Sequence, residues 1–267
     1  MPHESVGTAI DHPVHALRLE PHRGHEVAYN RWYERDHFYA GCMIGPGILA
    51  GKRWVSTRPY KDLRYPSESP ITAGASDRGS YLALYWVEKS MQNDWGGWGA
   101  KQVKDLHTAG RMFAERDHIH TKLYRYLGGS FRDDDGVPPE LALDHPYKGL
   151  VAMFGETNGG VDSAEVGRWY GEEYFPRALA GSATAMTLVF RPVGIPDDAP
   201  PDIPRVPEDS RRFLHLSFLE RDPIEVWHDE FAGHGKELES TGLAKVLWAS
   251  PFIPTIPGTD AYADELW

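Results

Sequence analysis

The sequence has a single cysteine, no long hydrophobic run and a shortage of positive charge. Cys42 is the only cysteine in 267 residues, so no intrachain disulfide can form and a reducing compartment is expected. The net charge of −11 argues against nucleic acids and anionic membrane surfaces as partners, because both are polyanions. No apolar run reaches the length of a membrane span, and the N-terminus lacks the pattern of a signal peptide. The composition therefore predicts a cytoplasmic protein without nucleic-acid or membrane partners.

Common nucleotide-binding and catalytic signatures are also missing. The sequence has no G-x-x-x-x-G-K-[ST] loop, no strand-linked G-x-G-x-x-G, no G-x-S-x-G elbow and no C-x-x-C pair. It therefore offers no support for nucleotide binding, serine hydrolysis or iron–sulfur chemistry. It does contain nine tryptophans and thirteen tyrosines, side chains that can line an apolar pocket while presenting polar groups to a ligand.

One segment, YNRWYERDHFYAGCMIGPGILAGKRW from Tyr29 to Trp54, combines a helical pattern with polar side chains. The residues at i, i+3, i+4, i+7 and i+8 share one helix face, and they are Tyr29, Trp32, Tyr33, Asp36 and His37. A Gly-Pro-Gly sequence at 45–47 ends the predicted helix, and a strand follows. A phenol, an indole, a carboxylate and an imidazole on one face are typical of a polar pocket.

This segment resembles the dimeric α/β-barrel superfamily of ferredoxin-like proteins, which includes EthD-like and antibiotic-biosynthesis-monooxygenase-like members. The resemblance rests on a WY-x-x-x-H pattern late in the first helix, a PG turn and a basic residue on the next strand, here Trp32, Tyr33, His37, Pro46, Gly47 and Arg53. The pattern recurs in RWYGEEYFP at 168–176, where Tyr174 takes the place of His37. Because the superfamily includes monooxygenases, isomerases, cyclases, lyases and haem enzymes, the resemblance implies a fold more specifically than a reaction.

The order of predicted elements repeats once along the chain. Both halves read β-α-β-β-α-β, the split βαβ unit. The first half has predicted strands at 15–22, 48–58, 81–89 and 118–131 and helices at 25–44 and 100–116; the second has strands at 149–156, 184–192, 212–220 and 244–256 and helices at 163–180 and 223–241. Loops are predicted at 59–79 and 194–209, a glycine-rich turn at 94–99 and a linker at 132–147.

This repeat predicts an α+β fold of two tandem ferredoxin-like β-α-β-β-α-β units, spanning residues 14–132 and 148–257. Each unit alone would leave bare the sheet face opposite its helices. Packing the two bare faces together buries them. We therefore expect an intrachain α/β barrel that encloses an aromatic-lined pocket. Exposed sheet edges would still allow a homodimer.

His37 is the strongest candidate for acid–base chemistry, because an imidazole titrates near neutral pH. Tyr33 lies one turn earlier on the same face and could orient or donate to a substrate oxygen, and Asp36 is adjacent in sequence. Arg53 could stabilise a carboxylate or a developing enolate. The alternative is structural: Tyr33 and His37 would close the end of the barrel by hydrogen bonding. The aromatic residues predicted to contact the substrate are Trp32, Trp86, Trp98 and Tyr174.

Histidines elsewhere suggest metal or haem sites less strongly. His118 and His120 are two apart, so on a regular strand they would face the same side, but no third ligand stands at a fixed spacing. His107, His228 and His234 lie on predicted helices and are the candidate axial ligands if the chain resembles the haem-binding members of the superfamily. We predict no metal and no cofactor, with haem as the alternative.

These features predict an enzyme that acts without a cofactor on a small hydrophobic or aromatic carbonyl compound bound in the barrel pocket. Lyase, isomerase, cyclase and oxygenase reactions all match an imidazole, a phenol and a guanidinium. Two alternatives remain open, namely a haem enzyme of the same fold and a non-catalytic ligand-binding or stress protein. Cys42 is expected to be a small buried hydrophobic residue rather than a nucleophile.

Overall fold

Eight antiparallel strands close into a barrel at the centre of the protein. The computed structural model describes residues 14–71, 74–193 and 211–267. The barrel strands are β1 (Val14–Pro21), β2 (Ile48–Val55), β5 (Tyr81–Val87), β6 (Arg116–Phe131), β7 (Gly149–Thr157), β8 (Thr184–Pro192), β9 (Arg212–Leu219) and β10 (Ala244–Pro254). A short ribbon of β3 (Glu68–Ser69) and β4 (Gly74–Ala75) lies in the segment that joins β2 to β5.

The helices connect the strands. They are α1 (Glu26–Trp32), α2 (Arg58–Lys61), α3 (Gln92–Thr108), α4 (Ser163–Arg168), α5 (Phe175–Leu179), α6 (Pro223–Glu230) and α7 (His234–Ser240). α1 continues directly as a π-helix (Tyr33–Met43), and a second π-helix (Trp169–Tyr174) joins α4 to α5. Both copies of the WY motif thus stand where the helix widens, a feature frequent at functional sites. In the described part of the chain, no helix is both long and apolar enough to cross a bilayer.

The strand order divides the barrel into two ferredoxin-like halves. Around the barrel the order is β1-β5-β2-β10-β7-β9-β8-β6. Strands β6, β1, β5 and β2 form one sheet, and β10, β7, β9 and β8 form the other, so in each half the first strand lies between the third and the fourth. The prediction of an α+β barrel made from two ferredoxin-like units in one chain is therefore confirmed.

The two seams between the halves differ. β6 and β8 pair over a long register. β2 and β10 pair only through Trp54 with Pro254 and Val55 with Ile253 in the described residues. The segment after β2 fills the rest of this gap, because the Arg64 guanidinium donates to a serine hydroxyl on β10 and to backbone carbonyls of residues 76, 78 and 79. The loop predicted at 59–79 therefore completes the barrel wall.

Large apolar side chains fill the inside of the barrel. Trp54, Trp86 and Trp248 are each at most 4% exposed and belong to one core cluster with inward-facing residues of all the sheet strands. A cavity at His120 and Tyr124 reaches this interior and has a volume of about 10 Å³. Aromatic side chains thus occupy much of the barrel interior, where the sequence predicts an aromatic-lined pocket.

Several predicted elements differ from the structure, among them the helix predicted at 100–116, which lies at Gln92–Thr108. Residues 94–99 form the first turns of α3 rather than a turn, because Trp95 and Trp98 pack against Gly45 and offset the helix penalty of about 1 kcal/mol that each glycine carries. The helix predicted at 223–241 is interrupted at 231–233 and forms α6 and α7. The linker at 132–147 contributes Leu143 and Tyr147 to the barrel core. The loop predicted at 194–209 lies outside the described residues.

Candidate functional site

The predicted site around His37 lies between the first sheet and its helix. Tyr33 is fully buried, and its hydroxyl lies 3.0 Å from the Tyr85 hydroxyl. The His37 ring stacks on Trp32 with 4.6 Å between ring centres, and it meets the Tyr33 ring edge-on at 5.3 Å. The structure thus brings Trp32, Tyr33 and His37 together on one side of the first unit.

His37 is a neutral and tightly enclosed imidazole. Burial, followed by the positive charge of Arg116, lowers the pKa of His37 to about 3. Its Nδ1 atom has no hydrogen-bond partner in the part of the chain that the structure describes. A Cβ atom on Gly41 would lie 2.6 Å from the ring, so the helix backbone closes that side. The imidazole can accept a proton, but its neighbours are packed directly against it.

Arg53 lies in the space between the helices and the sheet of the first unit, which is called the first layer below. Its Nη1 donates to Asn30 Oδ1 at 2.9 Å and lies 3.4 Å from Glu34 Oε1. The guanidinium carbon is 4.5 Å from the centre of the Tyr33 ring. Arg53 therefore lies beside Tyr33. Through Asn30 and Glu34 it links α1 and the following π-helix to β2.

The other predicted site residues lie in separate places. Asp36 forms an ion pair with Arg111, whose carbonyl oxygen accepts a hydrogen bond from the Trp32 indole. Trp86 points into the barrel core, and Trp98 lies on α3 against Gly45. Tyr174 is in the second unit. The predicted substrate-contacting aromatic residues are therefore not gathered into one pocket, because strand alternation directs Trp86 to the face opposite the helices.

Cys42 is buried, as predicted. It is 5% exposed, and burial raises the pKa of its thiol to about 12. The thiol is thus protonated at neutral pH and is not a nucleophile.

The second copy of the motif places a similar aromatic group against the second sheet. The Tyr170 hydroxyl lies 3.0 Å from His234 Nε2, and the Tyr174 ring stacks on His234 with 4.5 Å between ring centres. Burial lowers the pKa of His234 to about 4. The motif tyrosine therefore pairs with a histidine in this unit, whereas Tyr33 pairs with another tyrosine in the first.

His215 on β9 faces the same layer and has an unused nitrogen. Its ring centre lies 4.4 Å from that of Tyr170. It is 2% exposed, and its Nε2 atom has no partner among the described residues. Burial, and to a smaller extent the nearby His234, lowers the pKa of His215 well below its ordinary value. The ring is a neutral imidazole at pH 7 with a nitrogen free to bind a ligand.

A cavity of about 240 Å³ lies beside this histidine. Its lining combines aromatic rings, glycines and three arginines, among them Tyr170, Phe175, Gly167, Gly171, Arg191, Arg211 and Arg212. Arg191 donates to the Ser163 hydroxyl at 3.2 Å, and Arg212 Nε lies 3.4 Å from Glu156 Oε2. A second cavity of about 30 Å³ reaches His215 from the side of α7. Apolar walls with a few polar and charged groups are typical of small-molecule sites.

The two histidines at 118 and 120 do not form a metal site. The pairing of β1 with β6 shifts between Arg18 and Leu19, opposite this pair. The resulting irregularity directs His120 into the barrel and leaves His118 on the outer face, 2.9 Å from the Thr121 hydroxyl. The expectation that they share one side is therefore wrong. Within residues 14–71, 74–193 and 211–267, no group of three or more His, Cys, Asp or Glu side chains could hold a metal ion.

The candidate haem ligands do not line the larger cavities of the second layer, the space between the helices and the sheet of the second unit. The cavity beside His215 has a volume of about 240 Å³, and a neighbouring one of about 630 Å³ shares Gly129, Ser130 and Phe175 with it. His234 uses its Nε2 atom for the Tyr170 contact. His107 and His228 are exposed. None of the three candidate axial ligands lines either of these two cavities.

The fold matches solved structures at very low sequence identity. No protein-family model and no curated protein matches this sequence. A chlorite dismutase-like protein superposes with a TM-score of 0.56 at 13% identity, over 96% of this chain and 99% of the other. An anthrone oxidase-like protein gives 0.54 at 7%, over 94% and 95%. The encapsulated DyP-type peroxidase from Mycobacterium smegmatis gives 0.51 at 10%, over 95% and 94%. These likenesses show the fold alone, an α/β barrel made of two ferredoxin-like units.

Proposed function

We propose that the chain is an enzyme that acts by proton transfer on a small hydrophobic or aromatic carbonyl compound, bound in the cavity beside His215. The main support for this proposal is that the buried, neutral imidazole of His215 lines this cavity and has a nitrogen without a hydrogen-bond partner among the described residues. Leaving such a nitrogen unpaired costs about 1–3 kcal/mol. Proteins retain such costs mainly at functional sites. A ligand in the cavity would supply the missing partner.

The side chains of the cavity match the steps of an enolisation. With its hydrogen on Nδ1, His215 would take a proton at Nε2 from the carbon next to the substrate carbonyl. The electron pair of the broken C–H bond would move onto the carbonyl oxygen. The guanidinium of Arg191 or Arg212 would stabilise the negative charge there. Returning the proton to a different carbon would complete an isomerisation, and lyase, cyclase and oxygenase reactions can start from the same enolate.

The names of structures with the same fold support an enzyme. The anthrone oxidase-like protein is named for an aromatic ketone, which is a carbonyl compound of the proposed class. The chlorite dismutase-like protein and the DyP-type peroxidase are named for oxidative reactions. These names favour catalysis over simple ligand storage, and they leave the type of reaction open.

The site predicted around His37 stays a prediction for the same chemistry. His37 has a low pKa and an unpartnered nitrogen, as His215 has. The available space favours His215, because Trp32 and Gly41 pack against the His37 ring while a cavity of about 240 Å³ lies beside His215. The two histidines therefore form a matched pair for testing, one in each unit.

Deuterium exchange tests the proposal without knowledge of the final product. A panel of aromatic ketones, tricyclic anthrones and 1,3-diketones would be incubated with the protein in D₂O, and NMR would follow loss of the proton next to the carbonyl. We expect exchange of at least one compound, and a loss of about 10²–10⁴-fold in rate for His215→Gln. His37→Gln should retain the wild-type rate. Loss in His37→Gln with full activity in His215→Gln would contradict the proposal and favour the first unit. Binding of the panel without any exchange would favour the non-catalytic alternative.

Haem is the alternative cofactor, and titration with haemin tests it. The superfamily that the sequence resembles includes haem enzymes, although none of the three candidate axial ligands lines the cavities of about 240 and 630 Å³ in the second unit. We expect no sharp Soret band that saturates at one equivalent. Such a band, abolished in His234→Ala or His215→Ala, would show that the layer opens around a haem and would replace the cofactor-independent reading.

A further inference from the structure

Two arginines lie directly opposite each other on paired strands beside the proposed active site. Arg125 on β6 and Arg191 on β8 are partners in the antiparallel register, so both side chains leave the same face of the sheet. Arg191 donates to the Ser163 hydroxyl at 3.2 Å, and neither arginine pairs with a carboxylate within the part of the chain that the structure describes. Like charges at such positions are destabilising. An anion bound beside them would offset this repulsion.

The same face of the sheet carries His215. This histidine pairs with Val189 in the register of β8 and β9, and Arg191 follows Val189 by two residues on the same strand face. Diagonal neighbours of this kind lie about 7–8 Å apart, which is within reach of long side chains. Arg191 and His215 both line the cavity of about 240 Å³. The guanidinium and the imidazole can therefore contact the same small ligand.

The charge around this cavity is positive, although the whole chain has a net charge of −11. Arg211 and Arg212 line the cavity together with Arg191, and none of the described lining residues is an Asp or a Glu. Glu156 Oε1 lies 3.7 Å from Arg211 Nη1, and its Oε2 lies 3.4 Å from Arg212 Nε. Lys245 Nζ is 3.8 Å from the same carboxylate. Three cations thus share one carboxylate, and Arg191 adds a fourth positive charge.

We propose that the substrate is an aromatic oxo acid and that Arg191 binds its carboxylate. This inference rests on the proposed function and narrows the substrate from carbonyl compounds in general to those that carry a carboxylate. A guanidinium can donate two parallel hydrogen bonds to a carboxylate. Tyr170 and Phe175 provide the aromatic walls for the ring of the ligand. Arg212 then stabilises the enolate oxygen, so the two negative charges have separate partners.

Binding of unreactive ligands tests this assignment separately from catalysis. Titration calorimetry would compare cinnamate with cinnamamide, which has a similar shape without the charge. We expect cinnamate to bind about 10- to 100-fold more tightly, because charge-assisted hydrogen bonds are stronger than neutral ones. Arg191→Met should remove this preference and leave the affinity for cinnamamide unchanged.

Arg221→Met is the matched control for the binding test. Arg221 is an exposed arginine of the same unit that pairs with Glu225 and does not line the cavity. The variant should keep the full preference for cinnamate. Equal affinities of the wild type for cinnamate and cinnamamide would overturn the inference, and so would a preference that survives in Arg191→Met. Tighter binding of phenyl phosphate than of cinnamate would overturn the assignment of a carboxylate.

Deuterium exchange separates failure of this inference from failure of the proposed function. Phenylpyruvate and phenylacetone differ only in a carboxylate that replaces a methyl group, and spontaneous exchange is subtracted for both. We expect a higher kcat/KM for phenylpyruvate, and an increase of about 10-fold in its KM in Arg191→Met. Equal exchange of the two ketones, unaffected by Arg191→Met, would overturn the inference while supporting proton transfer. Cinnamate binding that depends on Arg191, without exchange of any ketone, would support the carboxylate site and contradict the proposed function.

Discussion

The two units use the same WY motif in layers that are packed differently. In the first unit, the Tyr33 hydroxyl pairs with Tyr85, and the Arg53 guanidinium occupies the space between helix and sheet. In the second unit, the Tyr170 hydroxyl pairs with His234, and a cavity of about 240 Å³ lies beside His215. The same fold thus occurs twice in one chain. Side chains fill the space between helices and sheet in the first unit, and a cavity remains there in the second.

Side-chain volume at a few positions accounts for the difference. A Cβ atom on Gly41 would come within 2.6 Å of the His37 ring, whereas one on Gly167 or Gly171 would meet nothing within 4 Å. Arg53 reaches across the first layer, while glycines of α4 and the second π-helix line the cavity of the second. The WY motif thus occurs at the same position of both units. The volume of the side chains packed around it determines whether a ligand has space to bind.

Acid should destabilise the second layer more than the first, and this is the largest effect we expect. Burial lowers the pKa of His37 to about 3 and that of His234 to about 4, and His215 is lowered in the same direction. Because the unfolded state binds these protons near pH 6.5, stability is complete above that pH. As the pH drops from 6.5 towards 4, each of these histidines lowers the free energy of unfolding by about 1.4 kcal/mol per pH unit.

Urea unfolding between pH 7.5 and 5 measures this slope for each unit. Replacing His37 by Leu should remove the contribution of one histidine from the slope. The double variant His215→Leu with His234→Leu should remove that of two. A free energy of unfolding that stays constant from pH 7.5 to 5 would show that these rings bind protons over the same pH range in the folded and unfolded states.

Arg53 in the first layer should contribute more to the free energy of unfolding than Arg191 at the cavity of the second layer. Arg53→Met leaves Glu34 and Asn30 without their partner in a buried setting, and we expect a loss of about 3–5 kcal/mol in the free energy of unfolding. Arg191→Met removes a partly exposed side chain and should cost about 0.5 kcal/mol or less. Chemical denaturation compares the two variants, and equal losses would contradict the distinction between a closed and an open layer.

Local patterns sufficed to predict the fold and part of the first layer. The repeated element order and the two WY motifs predicted both ferredoxin-like units, because hydrophobic periodicity and turns are local signals. Helix geometry placed Trp32, Tyr33 and His37 on one face, and the next strand brought Arg53 beside them. Local signals failed at 94–99, where the packing of Trp95 outweighs the glycines, and at His118, where an irregularity in strand pairing reverses the side-chain direction.

The second layer could not be predicted, because its parts come from distant segments. Tyr170, His215 and His234 meet only when the π-helix, β9 and α7 are packed together. One signal was present in the sequence. Leu214, Leu216 and Phe218 alternate along the strand and face the barrel core, so the intervening His215 faces the helices. Whether a cavity remains there depends on the volumes of all the side chains in the layer, which no single-sequence pattern encodes.

Within the second layer, the two buried histidines should respond differently to the same substitution. His234→Leu leaves the Tyr170 hydroxyl buried without its partner, so the free energy of unfolding should fall by about 1–3 kcal/mol. His215→Leu removes an unpaired polar atom and should leave stability unchanged or raise it by up to about 1 kcal/mol, while deuterium exchange of the substrate is lost. A clear loss of stability in His215→Leu would indicate that its Nε2 atom has a partner in solution, such as a bound water.

Alanine at a helical glycine should stabilise the open layer and destabilise the closed one, which is the smallest effect expected. Gly167 lies in α4 with nothing within 4 Å of a Cβ atom, so Gly167→Ala should raise the free energy of unfolding by about 0.5–1 kcal/mol through helix propensity and the restricted unfolded chain. Gly41→Ala places a methyl group against the His37 ring and should cost about 1 kcal/mol or more despite the same propensity gain. Thermal unfolding of the two variants gives the signs. A gain in both would mean that the first layer has room to adjust, and a loss in both would mean that the space beside the second helix is filled by a bound molecule.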